Sequence, residues 1–131
     1  MVSINVYSKY KDGNKRLSKN FTVKEFACSD GSDPIFIAPA LVSVLQKIRD
    51  HFEKPITINS GYRTVEKNKK VKGAKYSQHL YGTAADIVVK GVFPSEVAEY
   101  ANSIMPNTGG IGIYKTFTHV DVRLNKSRWN G

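Results

Sequence analysis

Cysteine is all but missing from this chain. Cys28 stands alone, so an intrachain disulfide and a thiolate-rich metal site are both excluded. Its neighbours Phe26, Ala27, Ser29 and Asp30 form no nucleophile motif, and it reads as a buried structural thiol. No apolar run approaches the roughly 18 residues that span a bilayer, which argues against membrane insertion. Met1 to Tyr10 alternates polar and apolar residues and lacks the apolar core of a secretory signal. Internal repeats and low-complexity linkers are also lacking. Acidic residues are scarce, with 11 Asp and Glu against 20 Lys and Arg, a net charge of +9. That balance suits nucleic acid, an anionic membrane or an anionic polymer such as a cell wall. The densest basic run, Lys67, Lys69, Lys70, Lys72 and Lys75, carries no interleaved stacking aromatics, which argues against a nucleic-acid partner.

What is present fits one soluble globular domain over residues 1–131, with 1–20 as an N-terminal arm and loop. Alternation over 2–7 predicts a short strand or extended arm, and Lys9 to Asn20 reads as loop. Thr22-Val23-Lys24-Glu25 has the form of a capping box opening a short helix. Asp30 to Pro34 is a turn. Leu41, Val44, Leu45, Ile48 and Phe52 recur at helical spacing, so Pro39 to Phe52 is an amphipathic helix, with His51 beside its apolar stripe. Pro55 to Asn59 reads as a strand, followed by a lysine-rich loop and a buried strand from Thr83 to Val89. A second amphipathic helix spans Pro94 to Met105, and Gly110 to Tyr114 and Phe117 to Arg123 form a hairpin. The Gly109-Gly110-Ile111-Gly112 cluster is no nucleotide loop, because no helix follows it. The class is α+β, a mainly antiparallel sheet with flanking helices.

Two of only three histidines, His79 and His119, fall in polar patches of otherwise apolar segments. Asp86 lies within a strand rich in Ala, Ile and Val, where an unpaired carboxylate would be costly. Two imidazoles and one carboxylate are the donor set of an open zinc site with a position left for water. On a strand, His119 and Asp121 project from one face. Isolated histidines and a turn-capping Asp would be the structural alternative.

Ser77-x-His79-x-x-Gly82-x-Ala84-x-Asp86 resembles the signature of the M15 family of zinc peptidases. That family includes D-Ala-D-Ala carboxypeptidases and phage or bacterial endolysins that cut peptidoglycan peptides. Asn20 to Phe26, Leu45 to Arg49, Ser60 to Thr64 and Phe117 to Arg123 also resemble its small phage-associated branch. The resemblance implies a hedgehog/D-Ala-D-Ala-peptidase-like fold, Zn2+ held by His79, Asp86 and His119, and Arg63 stabilising the oxyanion. Many members carry an acid three residues before the last histidine, where this chain has Thr116. Asp121 is then either the base for the attacking water or the acceptor that orients an imidazole. Ser77, Gln78 and Tyr114 are expected to touch substrate, Tyr81 is a further cleft candidate, and Trp129 is expected to pack. The implied activity is hydrolysis of a peptidoglycan stem peptide by a monomer acting at the bacterial wall, with phage release as one route there. The alternative is a zinc-containing module that binds without cutting.

Overall fold

The computed structural model describes residues 2–131. Its centre is a five-stranded sheet of β5 (Ile56–Ser60), β6 (Ala84–Val89), β7 (Gly110–Ile113), β8 (Thr118–Asp121) and β9 (Ser127–Asn130), in the order β5-β6-β8-β7-β9. All neighbours are antiparallel except β7 and β9, so the sheet is mixed. Two further pairs lie outside it: β1 (Asn5–Ser8) with β4 (Pro34–Ile37), and β2 (Arg16–Ser18) with β3 (Phe21–Thr22).

Alternation divides the central sheet into two faces. Ala85 and Ile87 of β6, Val120 of β8 and Ile111 of β7 point to one side and are buried. There they join Leu41, Leu45 and Ile48 of α2 (Pro39–Phe52) and Val97 and Ala101 of α4 (Pro94–Ile104) in a single hydrophobic core. Both helices start with proline in the first turn, where its missing N–H costs nothing. The opposite face carries Asp86, His119 and Asp121, and it is the floor of the site. No helix among the described residues is long and apolar enough to cross a membrane.

The elements sequence reading placed mostly stand within a residue or two, including the capping box. There Thr22 N donates to Glu25 at 2.6 Å at the head of a 3-10 turn, Val23–Phe26. Several segments differ, among them the following three. Lys9 to Asn20 is not loop throughout, since Ser8 caps a short helix α1 (Lys9–Asp12) and β2 follows. The lysine-rich segment is helical over α3 (Val65–Lys70), because Thr64 Oγ1 caps the backbone N–H of Lys67 at 3.1 Å. The C-terminal residues around Trp129 form β9 and extend the sheet.

Candidate metal centre and cleft

Strand register assembles the site. Across the sheet, Ser60 pairs with Asp86, Asp86 with His119, His119 with Gly112, and Gly112 with Trp129. These five residues make one lateral row on the face away from the helices. His79 joins from above, on a 3-10 turn Gln78–Tyr81 that ends in the left-handed conformation at Gly82.

His79, Asp86 and His119 are all buried, and their ligand atoms all lie within 4.8 Å of one another. Asp86 Oδ2 is 3.3 Å from His79 Nε2, and Asp86 Oδ1 is 3.0 Å from His119 Nδ1. Donors about 2 Å from one tetrahedral ion stand a little over 3 Å apart, so the spacing fits. The far sides of both rings are compatible with that donor set. His79 Nδ1 lies 2.7 Å from the Gly61 carbonyl, which can only accept, so Nδ1 carries a hydrogen and Nε2 is the nitrogen turned to the cluster. His119 Nε2 lies 2.8 Å from Asp121 Oδ2, which leaves Nδ1 to face the cluster. Each imidazole is thereby oriented by an oxygen behind it, as ligating histidines require.

Asp121 is wholly buried behind His119 and does not line the cleft. Oδ1 accepts from the backbone N–H of Gly110 and Arg123 and from Arg123 Nε, and Oδ2 accepts from Arg123 Nη2 at 2.7 Å as well as from His119. Burial alone would raise this carboxyl, but the bonds from His119 and Arg123 outweigh it and hold it well below the usual carboxylate range. Asp86 behaves likewise: burial opposes its charge, and hydrogen bonds from His119 and His79 win. Burial disfavours the charged form of His119, yet Asp121 and Asp86 on either side raise it above its ordinary value.

Arg63 enters the same cluster from the loop after β5. Its Nη2 is 3.5 Å from Asp86 Oδ2, Nε donates to Ser60 Oγ at 3.1 Å and Nη1 donates to Asn68 Oδ1 at 3.2 Å. These residues open onto a cleft of about 590 Å³. Ser77, Gln78 and Tyr114 line it, as does Trp129. Ser77 Oγ caps the N–H of His79, and Gln78 Oε1 accepts from Thr83 Oγ1 at 2.8 Å. Tyr114 stacks on Phe117 at 4.4 Å and accepts from Trp129 Nε1 at 2.9 Å. Tyr81 is exposed and stands outside the cleft-lining set.

The sequence favours packing over recognition for Trp129. In the structure it packs and also walls the cleft, its ring 5.0 Å from His119 and under the Arg123 guanidinium. The signal was present in Gly110 and Gly112, two glycines at same-face spacing on a strand. A Cβ at Gly112 would lie 2.5 Å from the Trp129 indole, so only glycine lets the ring cross β7 toward His119. Arg123 was legible only as part of a motif, and Asn68 carried no signal among its lysines.

The profile of the Peptidase M15 family matches residues 17–121. The chain is 49% identical over 53 residues to the zinc D-Ala-D-Ala carboxypeptidase of Streptomyces albus G, covering 38% of this chain and 21% of that protein. It is 31% identical over 94 residues to the peptidoglycan L,D-endopeptidase MepK of Escherichia coli strain K12, covering 65% of this chain and 50% of that protein. The chain thus spans half or less of the length of these curated relatives. With the profile running from β2 to the last residue of β8, through every member of the His-Asp-His cluster, the chain belongs to the Peptidase M15 family.

Proposed function

We propose that this chain is a zinc-dependent peptidase that hydrolyses an amide bond in the stem peptides of bacterial peptidoglycan. The observation that carries the reading is the buried His79-Asp86-His119 cluster, each imidazole anchored from behind, opening beside Arg63 onto a cleft. His79 Nε2, Asp86 and His119 Nδ1 would hold the ion. Zinc bound there would lower the pKa of water toward neutrality and polarise the scissile carbonyl. Arg63 would donate to the oxygen of that carbonyl as charge develops on it, from a guanidinium already fixed by Ser60 and Asn68. Asp121 takes the orienting role of the two open to it: its oxygens are occupied by His119, Arg123 and Gly110, and it holds the proton of His119 at Nε2. Ser77, Gln78, Tyr114 and Trp129 would receive the peptide. An endopeptidase is favoured over a carboxypeptidase by the resemblance to the small phage-associated branch, the two relatives being one of each kind. The site of action would be the cell wall, reached by a 1–131 domain working as a monomer.

A second reading rests on one observation. Thr116 stands where an acid would be expected, and among the described residues Asp86 is the only carboxylate lining the cleft. A module that keeps the metal and binds peptide without cutting it would look like this. Mass spectrometry of muropeptides, after incubating purified peptidoglycan with zinc-loaded and metal-stripped protein, separates the two. New fragments that depend on zinc establish the peptidase, and their masses name the bond. Intact muropeptides in the presence of protein with zinc bound leave the binding module.

A further inference from the structure

Asn68 is a polar side chain, 4% exposed, on a helix whose other residues are exposed or half-buried. The chain that follows wraps around it. Gly73 N donates to the Asn68 carbonyl at 2.8 Å, and Asn68 Nδ2 donates to the Ala74 carbonyl at 2.9 Å. The other end of the amide faces Arg63, a cleft-lining residue, where Oδ1 accepts from Arg63 Nη1 at 3.2 Å. The fit leaves no slack, because a Cβ on Gly73 would collide with Asn68 Oδ1.

Both partners together select a carboxamide. A guanidinium offers only donors and a carbonyl only accepts, so the bridging group must accept at one end and donate at the other. Aspartate would turn an oxygen toward the Ala74 carbonyl, and leucine would leave both partners unpaired. A residue that merely closed the 68–74 loop would need only the Ala74 bond. The bond to Arg63 is additional, and it matters for aim. Ser60 alone holds the guanidinium at Nε, about which the group can swing; Asn68 at Nη1 is the second point that fixes its plane and directs Nη2 toward Asp86.

We infer that Asn68 is a positioning residue that aims Arg63 at the metal cluster and ties it to the cleft wall formed by residues 72–74. The inference rests on the peptidase reading for its effect on turnover, and on geometry alone for its effect on Arg63.

The test uses the full chain labelled with nitrogen-15, with the Arg63 Nε–Hε signal identified as the one lost in Arg63→Lys. In Asn68→Ala that signal should shift from its parent position and broaden, because Nε keeps Ser60 while the guanidinium loses its second anchor, and amide signals of β7, β8 and β9 should stay in place. An Arg63 signal that does not move overturns the inference. Should Asn68→Ala fail to fold, Asn68→Asp decides: its carboxylate is repelled by the Ala74 carbonyl and pulled to Nη1, so the Arg63 signal should shift from its parent position, and an unshifted signal overturns the inference. On muropeptides, Asn68→Ala should lower kcat by about 100-fold with little change in KM, as expected for a misaimed reacting-site group. The double variant with Arg63→Lys should fall no further than Arg63→Lys alone, whereas additive losses would mean that Asn68 acts elsewhere. Absence of any turnover in the unmodified protein would remove the peptidase reading and leave the Arg63 signal to decide the role of Asn68.

Discussion

Trp129 and His119 face each other across an intervening strand, their ring centroids 5.0 Å apart above Gly112. Trp129 is the chain's only tryptophan, so its emission reports on the surroundings of His119 directly. Gly112→Ala would place a methyl 2.5 Å from the indole and push the ring outward. We expect a red-shifted emission and a loss of about 1–3 kcal/mol in stability, the usual cost of overpacking. Chemical denaturation followed by fluorescence checks both. An unshifted emission with an unchanged midpoint would mean that the ring is not confined as described.

Asp121→Asn removes a charge without changing shape. The amide must then turn its NH2 toward either His119 Nε2–H or the Arg123 fork, and in each case a donor meets a donor. Leaving such a buried group unpaired costs about 1–3 kcal/mol. His119 loses the acceptor that sets its tautomer, so zinc affinity should drop about 10- to 100-fold. Chelator competition measures this. Unchanged zinc affinity with abolished turnover would instead assign Asp121 the role of base.

The metal-free protein should have a pH optimum of stability that zinc abolishes. His119 is raised above its ordinary 6.5 by Asp121 and Asp86 despite its burial. A raised imidazole contributes stability fully below its unfolded value and loses it as pH climbs through the folded one. Asp86 and Asp121 are depressed below their ordinary 3.8, so their contribution is present above that value and is lost only in stronger acid. Thermal melts of stripped protein should therefore be highest between about pH 4 and 6.5 and decline toward alkaline pH. Zinc needs a neutral His119, so its affinity should rise over the range in which apo stability falls. Apo melting temperatures that stay level from pH 5 to pH 9 would contradict the charge assignment.

Where the sequence spoke clearly, it spoke through periodicity and residue chemistry. The stripe from Leu41 to Phe52 required a helix, and Asp86 in an apolar strand required partners, which it has in His79, His119 and Arg63. The lateral row from Ser60 to Trp129 was not legible, because register between strands distant in sequence is set by tertiary pairing. Helix α3 was hidden by its composition: lysines on solvent-facing positions look like loop until Thr64 is recognised as a cap and Asn68 as the residue turned inward. The role of Asp121 stayed open for a similar reason. Two-residue spacing places it on the face of His119, but the bonds from Gly110 and Arg123 that enclose its oxygens come from a neighbouring strand and a chain reversal that spacing does not report.

Attachment to the wall should be electrostatic and separable from cleavage. Every ion pair among the described residues uses arginine or histidine as its cation, and none uses lysine. The lysines therefore remain available to an anionic polymer, and Lys69, Lys70 and Lys75 are exposed beside the cleft without lining it. Exposed charges are screened beyond about 8–10 Å at ordinary ionic strength, so retention on intact wall should weaken steeply as salt is added. Reversing all three with Lys69→Glu, Lys70→Glu and Lys75→Glu should lower retention at low salt and flatten the salt dependence. Cutting of a small soluble muropeptide should be unaffected, because none of the three reaches the cluster. Co-sedimentation with purified wall across a salt series, run beside the soluble assay, measures both. Retention that ignores salt, or a triple variant that sediments as well as the parent, would place wall contact on the cleft alone.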